Sequence, residues 1–380
     1  MPSLHEAQYR YACHYCEVAK ETDRFYLKGN ENVIRGLEIF DRERLHIEAV
    51  FEFLTGALTI VFFHPTEDVS QITDGGLFKY SVLLVSLVDA MRYTGQSLRF
   101  HPRQRIRWLE AQRDASRITK DLKQEGKALG NLGIAYHALG DARKAIEYQK
   151  QRLKIVREIR DRLGEGQALG NIGLVYYTLG EIRKAIKHHE QYLKIAREVG
   201  NQIGECQALG NLGTAYYSLG DLRKAKQFQA KRLKIAIEIG DRFGEGHSLN
   251  GLGLIHYSLG DAHQAIEYHQ RSLKIAREIG DRRGEGLILG SLGLAYYILD
   301  DARKAVEYHD QHLKIAREIG DRRGEGIALW NSATPLNRLG DRTQAVSRAE
   351  AALRIYDAIE DPDAAQVREQ LAKWRGQSTS

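Results

Sequence analysis

The stretch EGQALGNIGLVYYTLGEIRKAIKHHEQYLKIAREVG, residues 165–200, returns in the same column every 40 residues. Copies begin at Glu125, Glu205, Glu245, Glu285 and Glu325. Internal repetition at such a period decides an architecture before local propensity does. Each copy holds two helical patterns. The first carries Leu132, Gly133 and Tyr136, then Ile172, Gly173 and Tyr176 in the next copy, and stops at a pair such as Gly140-Asp141. Glycine there supplies a left-handed cap, and aspartate can cap the helix that follows. The second pattern spaces Ala145, Ile146, Gln149, Leu153 and Val156 by threes and fours, giving one apolar or weakly polar face. A second pair, Gly200-Asn201, Gly240-Asp241 or Gly280-Asp281, closes the unit.

A two-helix unit cannot bury its own apolar stripe, but stacked neighbours can, and the outcome is a solenoid. Glycines recur inside the first helix at Gly130 and Gly133, Gly170 and Gly173, Gly210 and Gly213. Each interior glycine costs roughly 0.5–1 kcal/mol against alanine. The missing side chains are therefore expected to admit another backbone. For the Gly133 column the expected neighbour is the second helix of the same unit.

Leu132, Gly133, Tyr136, Gly140, Ala145, Tyr148 and Leu153 fall in the order of the tetratricopeptide repeat, which the segment 125–360 resembles. The resemblance implies a right-handed all-α solenoid that serves as a binding scaffold. The period is 40 residues where the family's is about 34, and the extra residues are assigned to a longer second helix and to the Gly-Asp-Arg-x-Gly-Glu connector. This long form, with EYHQ and LKIAREIGDRRGEG, is similar to the repeats of the Leu-Gly-Asn (Pins-type) G-protein signalling modulators. Kinesin light chain repeats are a more distant likeness. The expected organisation is an N-terminal helical cap over 1–77, a degenerate repeat over 78–120, six repeats over 121–360, and a capping helix with a tail over 361–380.

Composition agrees with an all-helical chain: five prolines and 28% charged residues in 380. The formal charge of +6 is spread over a long chain and does not by itself call for nucleic acid. Cys13, Cys16 and Cys206 make no disulfide framework, which fits a reducing compartment. The N-terminus lacks the apolar core of a signal peptide. The apolar stretches 51–63 and 80–88 are too short to span a bilayer. A cytoplasmic protein is expected, with no membrane partner.

Before the repeats, 3–28 reads as one amphipathic helix, 31–57 as one or two broken near Phe40-Asp41, 64–76 as a loop, and 78–93 as a buried helix. Residues 101–120 align with a second helix, Ile106 on Ile146 and Trp108 on Tyr148. The segment 10–54, with a Tyr-rich helix followed by Phe40, Asp41, Glu43, Ile47 and Ala49, resembles the helical region that introduces repeat arrays in bacterial STAND ATPases. In the last unit Trp330 and Ala333 replace column glycines, and Pro335 is expected to kink or break its helix. Asp361-Pro362 opens a final helix to about Trp374, and the last five residues read as a frayed tail.

Nothing here builds a catalytic centre, and no cofactor is expected. Patterns such as Gly251-Leu-Gly253 follow no strand and carry no dinucleotide signal. Cys13 and Cys16 have CxxC spacing without a second pair, so no metal site is expected. His188, His189, His269, His309 and His312 read as a solvated or semi-buried column. Arg143-Lys144 and its copies sit at helix starts, against the helix dipole. Arg99, Arg103, Arg105, Arg107, Arg113, Arg117 and Lys120 form a basic cluster without stacking aromatics, which argues against nucleic acid. The functional signal lies on the first helices, opposite the Leu132–Tyr136 side. There Gln167 and Gln207, Asn131, Asn171 and Asn211, Leu174, Leu254 and Leu294, and His137, Tyr177, Tyr217, Tyr257 and Tyr297 fall in four columns. They are read as a concave peptide-binding groove: tyrosines as a ladder, asparagine amides as partners for an extended backbone, and Gly130, Gly170, Gly210 and Gly290 as a low floor. The alternative for the tyrosines is that they seal contacts between neighbouring helices. The function read is therefore non-enzymatic binding of an extended peptide or protein, identity open, with self-association also open. The rivals are a regulatory sensor arm of a STAND-type system and nucleic-acid binding through 99–120.

Overall fold

The computed structural model describes residues 4–29, 31–63, 74–93, 95 and 99–376, and no strand occurs among them. Four helices precede the repeats: α1 (Leu4–Leu27), α2 (Glu31–Phe63), α3 (Asp74–Ala90) and α4 (Pro102–Ile118). The repeats pair α5 (Leu122–Ala138) with α6 (Ala142–Glu158), α7 (Arg162–Thr178) with α8 (Ile182–Glu198), and α9 (Gln202–Ser218) with α10 (Leu222–Glu238). Then come α11 (Arg242–Ser258) with α12 (Ala262–Glu278), α13 (Arg282–Ile298) with α14 (Ala302–Glu318), and α15 (Arg322–Arg338) with α16 (Arg342–Ala358). The last described helix is α17 (Ala364–Gly376). Within each of the chain's two compact units neighbouring helices pack as pairs, α5 on α6 in one and α13 on α14 in the other, and the fold is an all-α solenoid.

Each turn is built the same way. At the end of α5, Gly140 adopts φ +81°. Its N–H donates to the His137 carbonyl (3.0 Å) and the Asp141 N–H to the Tyr136 carbonyl (2.9 Å). These bonds satisfy carbonyls that the helix end leaves free. The Asp141 carboxylate then accepts from the Lys144 N–H at 3.0 Å and caps α6. Second helices end alike, and Asp161 accepts from the Gly164 N–H at 2.8 Å. The Gly-Asp-Arg-x-Gly-Glu segment is thus no connector: after its aspartate it forms the first turn of the next helix. Both helices of a repeat are 17 residues long, so the second is not the longer.

Inside a repeat the glycine column is filled by a side chain rather than by a backbone. A Cβ added at Gly133 would lie 2.6 Å from Gln149 Nε2, and one at Gly173 2.5 Å from His189 Cε1. The same holds for Gly213 with Gln229, Gly253 with His269 and Gly293 with His309. The partner is the second helix of the same unit, as expected. His189, His269, His309 and His312 are consequently buried, at 4% exposure or less, not solvated.

The chain forms two compact units, Met1–Ile195 and Ala196–Ser380. In the first, α1 to α4 share a core with the opening repeats, where Phe51 stacks on Trp108 at 4.1 Å and 5°. There α2 is a single continuous helix with no break at Phe40-Asp41, and Phe40 is wholly buried. Of the loop read over 64–76, residues 64–73 lie outside the described residues and 74–76 open α3. Arginines of the basic cluster face the acids of α2: Arg99 holds Asp41 through two bonds, and Arg107 holds Glu52 likewise.

In the second unit, α15 runs through Pro335. The proline sits in the last turn, where the lost bond is only the one to Asn331, and the Leu339 N–H still reaches the Pro335 carbonyl at 3.0 Å. Val367, Leu371 and Trp374 of α17 cover the last apolar face. The tail from residue 377 on lies outside the described residues.

Candidate binding face

The first helices bury one side and present the other. Lys127, Gln167 and Gln207 are exposed, Asn131, Asn171 and Asn211 are half-buried, and Ile134 and Leu174 keep 42% and 39% of their surface. Leu254 and Leu294 are half-buried, as are His137, Tyr177, Tyr217, Tyr257 and Tyr297. The helical period produces this division, since neighbouring positions point about 100° apart. Tyr216, one residue before Tyr217, is 8% exposed and stacks on Phe228 of its partner helix at 5.3 Å.

Several of these side chains already have partners. The Gln167 amide oxygen accepts from Arg152 at 2.8 Å. His137 reaches Thr178 (3.0 Å) and Tyr217 reaches Ser258 (2.9 Å), each in the following repeat. Arg338 lies over the Tyr297 ring at 5.4 Å. Burial, and then the neighbouring Tyr217, raise the Tyr257 phenol above its ordinary range. The tyrosine column therefore ties repeats together as well as lining a face.

The floor reading of Gly130, Gly170, Gly210 and Gly290 is corrected by the structure. These glycines are buried, and Arg152, Tyr192, Arg232 and His312 of the second helices lie against them, 2.7–3.0 Å from where a Cβ would stand. Their missing side chains admit a neighbour's side chain and leave no channel for a ligand backbone. Burial depresses the pKa of the Arg152 guanidinium, which Asp161 partly restores.

Two features escaped the sequence reading. Lysines at the start of second helices lie over the ring ending the first: Lys144 over Tyr136 (4.8 Å), Lys224 over Tyr216 (4.8 Å) and Lys304 over Tyr296 (4.9 Å). Attraction to the ring and to the capping acid, as in Lys304–Asp301 at 3.2 Å, offsets the dipole penalty. The signal was the regular spacing of tyrosine, acid and lysine. Further, the repeated glutamate is a buried carboxylate held between repeats: Glu285 accepts from Arg277 (2.8 Å) and Arg282 (2.5 Å). For Glu165, burial pushes the pKa up, but Arg157 and Arg162 outweigh it and the net shift is downward. Among the described residues, no group of three or more His, Cys, Asp or Glu could hold a metal. The Cys16 thiol is buried and pushed up to about 12.

The tetratricopeptide repeat family profile matches residues 124–198, 164–238 and 244–318, together half of the chain. The chain is a tetratricopeptide repeat protein. No curated protein sequence matches it. Among solved structures, this tetratricopeptide repeat chain is similar to a Signal Transduction ATPase with Numerous Domains (STAND) protein with a tetratricopeptide repeat sensor from Pyrococcus horikoshii. That likeness has a TM-score of 0.60 at 18% identity and covers 93% of this chain and 55% of that one. It is also similar to aspartyl phosphate phosphatase F from Bacillus subtilis (TM-score 0.54, 15% identity, 95% and 94% covered). A Rap protein complexed with competence and sporulation factor gives 0.53 at 16% identity, with 95% and 98% covered. At these identities the likeness is one of fold. The chain spans about half the length of the STAND protein. Tetratricopeptide solenoids typically act as protein–protein interaction scaffolds, and no helix among the described residues is long and apolar enough to cross a membrane.

Proposed function

We propose that this protein is a non-enzymatic, cytoplasmic scaffold that binds an extended peptide or protein segment along the exposed face of its first helices. The observation that supports this is apolar surface left open there in the second unit: Leu287 at 50% and Phe243 at 54% exposed, on helices whose opposite sides are buried. Exposed apolar side chains among amides and tyrosines suit a ligand that supplies its own side chains and main-chain bonds. The 40-residue form, similar to Pins-type repeats, belongs to the same reading. Tyr216→Ala and Tyr217→Ala test it together. Loss of buried Tyr216 is expected to cost about 3–5 kcal/mol of stability. Tyr217→Ala is expected to change stability by about 1 kcal/mol and weaken capture of a peptide ligand by about 2 kcal/mol. Equal destabilisation with unchanged capture would reduce the tyrosines to contacts between repeats.

A second reading, the sensor arm of a STAND-type system, draws on the likeness to the STAND sensor over 93% of this chain, N-terminal helices included. It is tested by copurification with an ATPase encoded beside it or fused in relatives. The nucleic-acid reading loses support from the pairing of Arg99 and Arg107 with α2.

A further inference from the structure

The repeats obey a volume rule that one of them breaks. Positions 22 apart face each other across the two helices of a repeat, one small and one large. In the second unit these are Gly210 with Arg232 and Gly290 with His312, each a side chain lying on a glycine. In the last repeat the sizes are reversed, Trp330 standing opposite Ala352. The intervening repeat has Asn250 and Ser272. Neither is large, and the space is not filled.

A small cleft opens there between α11 and α13, most of its empty space continuous with solvent. Ile275 of α12 and the Ile279 that follows that helix line it, with Phe243 and His247 of α11 and Leu287 and Ile288 of α13. Phe243 and Leu287 are exposed by half, and the Phe243 and His247 rings meet at 4.2 Å. The Ser272 hydroxyl is occupied, donating to the Gly246 carbonyl at 2.8 Å, so it adds no open polar group. Asn250 Oδ1 is different. It lies in the cleft wall, buried, with no partner.

Beside this cleft stands an uncompensated cation. The Arg232 guanidinium lies on Gly210, its Nε is buried without a partner, and it forms no ion pair among the described residues. Its neighbour is the Cys206 thiol. Arg232 is near enough to His247 to disfavour protonation there, second to burial, while Asp281 and Asp241 act in the opposite sense. Both aspartates are engaged as helix caps, accepting from Gly284 and Gly244 N–H groups at 2.8 Å.

We propose that this cleft is the anchor site of the binding face, taking one aliphatic side chain of an extended segment whose main-chain N–H bonds Asn250 and whose adjacent acidic residue pairs with Arg232. The proposal rests on the groove reading and names the chemistry of its ligand. An aliphatic chain fits because Phe243, Ile275, Ile279, Leu287 and Ile288 make most of the lining apolar, the carboxylate of Asp281 among them being engaged as a helix cap. A main-chain N–H fits because Asn250 offers an acceptor that nothing in the protein uses. An acid fits because a half-buried arginine without a carboxylate is completed by one. Residues of an extended segment advance about 3.3 Å each, so the acid belongs one or two positions from the anchor.

The probe is a random peptide library displayed on phage and panned against the full chain, with selected peptides synthesised for fluorescence polarisation. Enrichment of Leu, Ile, Val or Met within two positions of Asp or Glu is expected. The double variant Asn250→Gly/Ser272→Arg copies Gly210 and Arg232 and fills the cleft. It should weaken the selected peptides about tenfold or more. Leu287→Glu changes an exposed rim residue, leaves folding intact, and should weaken them similarly, which keeps the test decisive if the double variant misfolds. Arg232→Gln should abolish the preference for an acid. Peptides that respond to Tyr217→Ala and Tyr257→Ala but to none of the cleft variants would overturn the anchor and leave the groove standing. Failure to enrich any peptide, or indifference to both sets of variants, would overturn both.

Discussion

His269 is wholly buried against Gly253, and neither ring nitrogen has a partner. Burial lowers its pKa to about 4. His189, lowered by burial and by His188, also stands at about 4, and His309, lowered by burial, His312 and Arg348, at about 3. Unfolded imidazoles titrate near 6.5. Between pH of about 6.5 and 4 the unfolded chain therefore binds protons that the folded chain refuses, so stability falls with pH across that window by up to about 3 kcal/mol per histidine. Clamped carboxylates such as Glu165 act lower, where falling pH protonates them and removes their share. Gln149 and Gln229 fill the same column elsewhere, so glutamine is a tolerated occupant. The triple variant His189→Gln/His269→Gln/His309→Gln should keep its fold and lose most of the decline between pH of about 6.5 and 4.5, read as denaturant midpoint against pH. An unchanged slope would place the titration elsewhere. The glycine side of this contact was legible as a column of interior glycines. The depth of the histidines was not, because imidazole in a helical pattern reads as polar surface until its glycine counterpart is known.

Between helices, the glutamate clamp joins one repeat to the next. Arg317 and Arg322 bond Glu325 at 2.9 and 2.5 Å, as Arg277 and Arg282 bond Glu285. Glu285→Ala should cost about 1–3 kcal/mol, the worth of hydrogen bonds to a charged group. One junction lacks its first arginine: Ile237 stands there, 55% exposed, and Glu245 is left with Arg242 at 2.5 Å. Ile237→Arg should add up to about 1 kcal/mol at low salt, and a loss of stability would mean that the isoleucine is packed against something the clamp would displace. Helix existence, pairing and the capping aspartates were all legible in the period. The clamp was not, because Gly-Asp-Arg-x-Gly-Glu looks like a loop, although a capping aspartate followed by an acid in the first turn is a helix start. The break expected at Pro335 failed for a related reason: a proline in the last turn forfeits one bond, and the buried Ala333 and Leu336 hold that turn in place. At the binding face, the columns were legible and their contacts were not. Arg152 and Tyr217 find partners 15 and 41 residues away, which no helical period predicts.

At the scale of the chain, stability in a stacked array is a sum of repeat terms and nearest-neighbour terms, with atypical ends to cover the last faces. Ala364, Val367, Leu371 and Trp374 of α17 do this at the C-terminus, the last with Trp330 at 6.3 Å between ring centres. Removal of 205–244 in frame tests the principle inside the second unit. The cut joins Gly204 to Glu245, so the Asn201 cap, which accepts from the Gly204 N–H at 3.1 Å, is kept. Arg197, which now holds Glu205 at 2.7 Å, meets Glu245 instead. In the shortened chain Glu245 thus exchanges Arg242, whose column is taken by Gln202, for Arg197, and one arginine still holds it. It should retain its helical circular dichroism per residue and a single cooperative transition. Its denaturant m-value should fall in proportion to the surface removed. Loss of cooperativity or of helical signal would mean that the deleted repeat supplies something its neighbours cannot, and that the repeats are not interchangeable. The deletion also leaves Asn250 and Ser272 in place but removes Arg232, and it removes Phe243 of the cleft wall, whose column is taken by Ile203, another apolar side chain. Binding of aliphatic peptides should therefore survive without the preference for an acid, separating the two halves of the anchor in one variant.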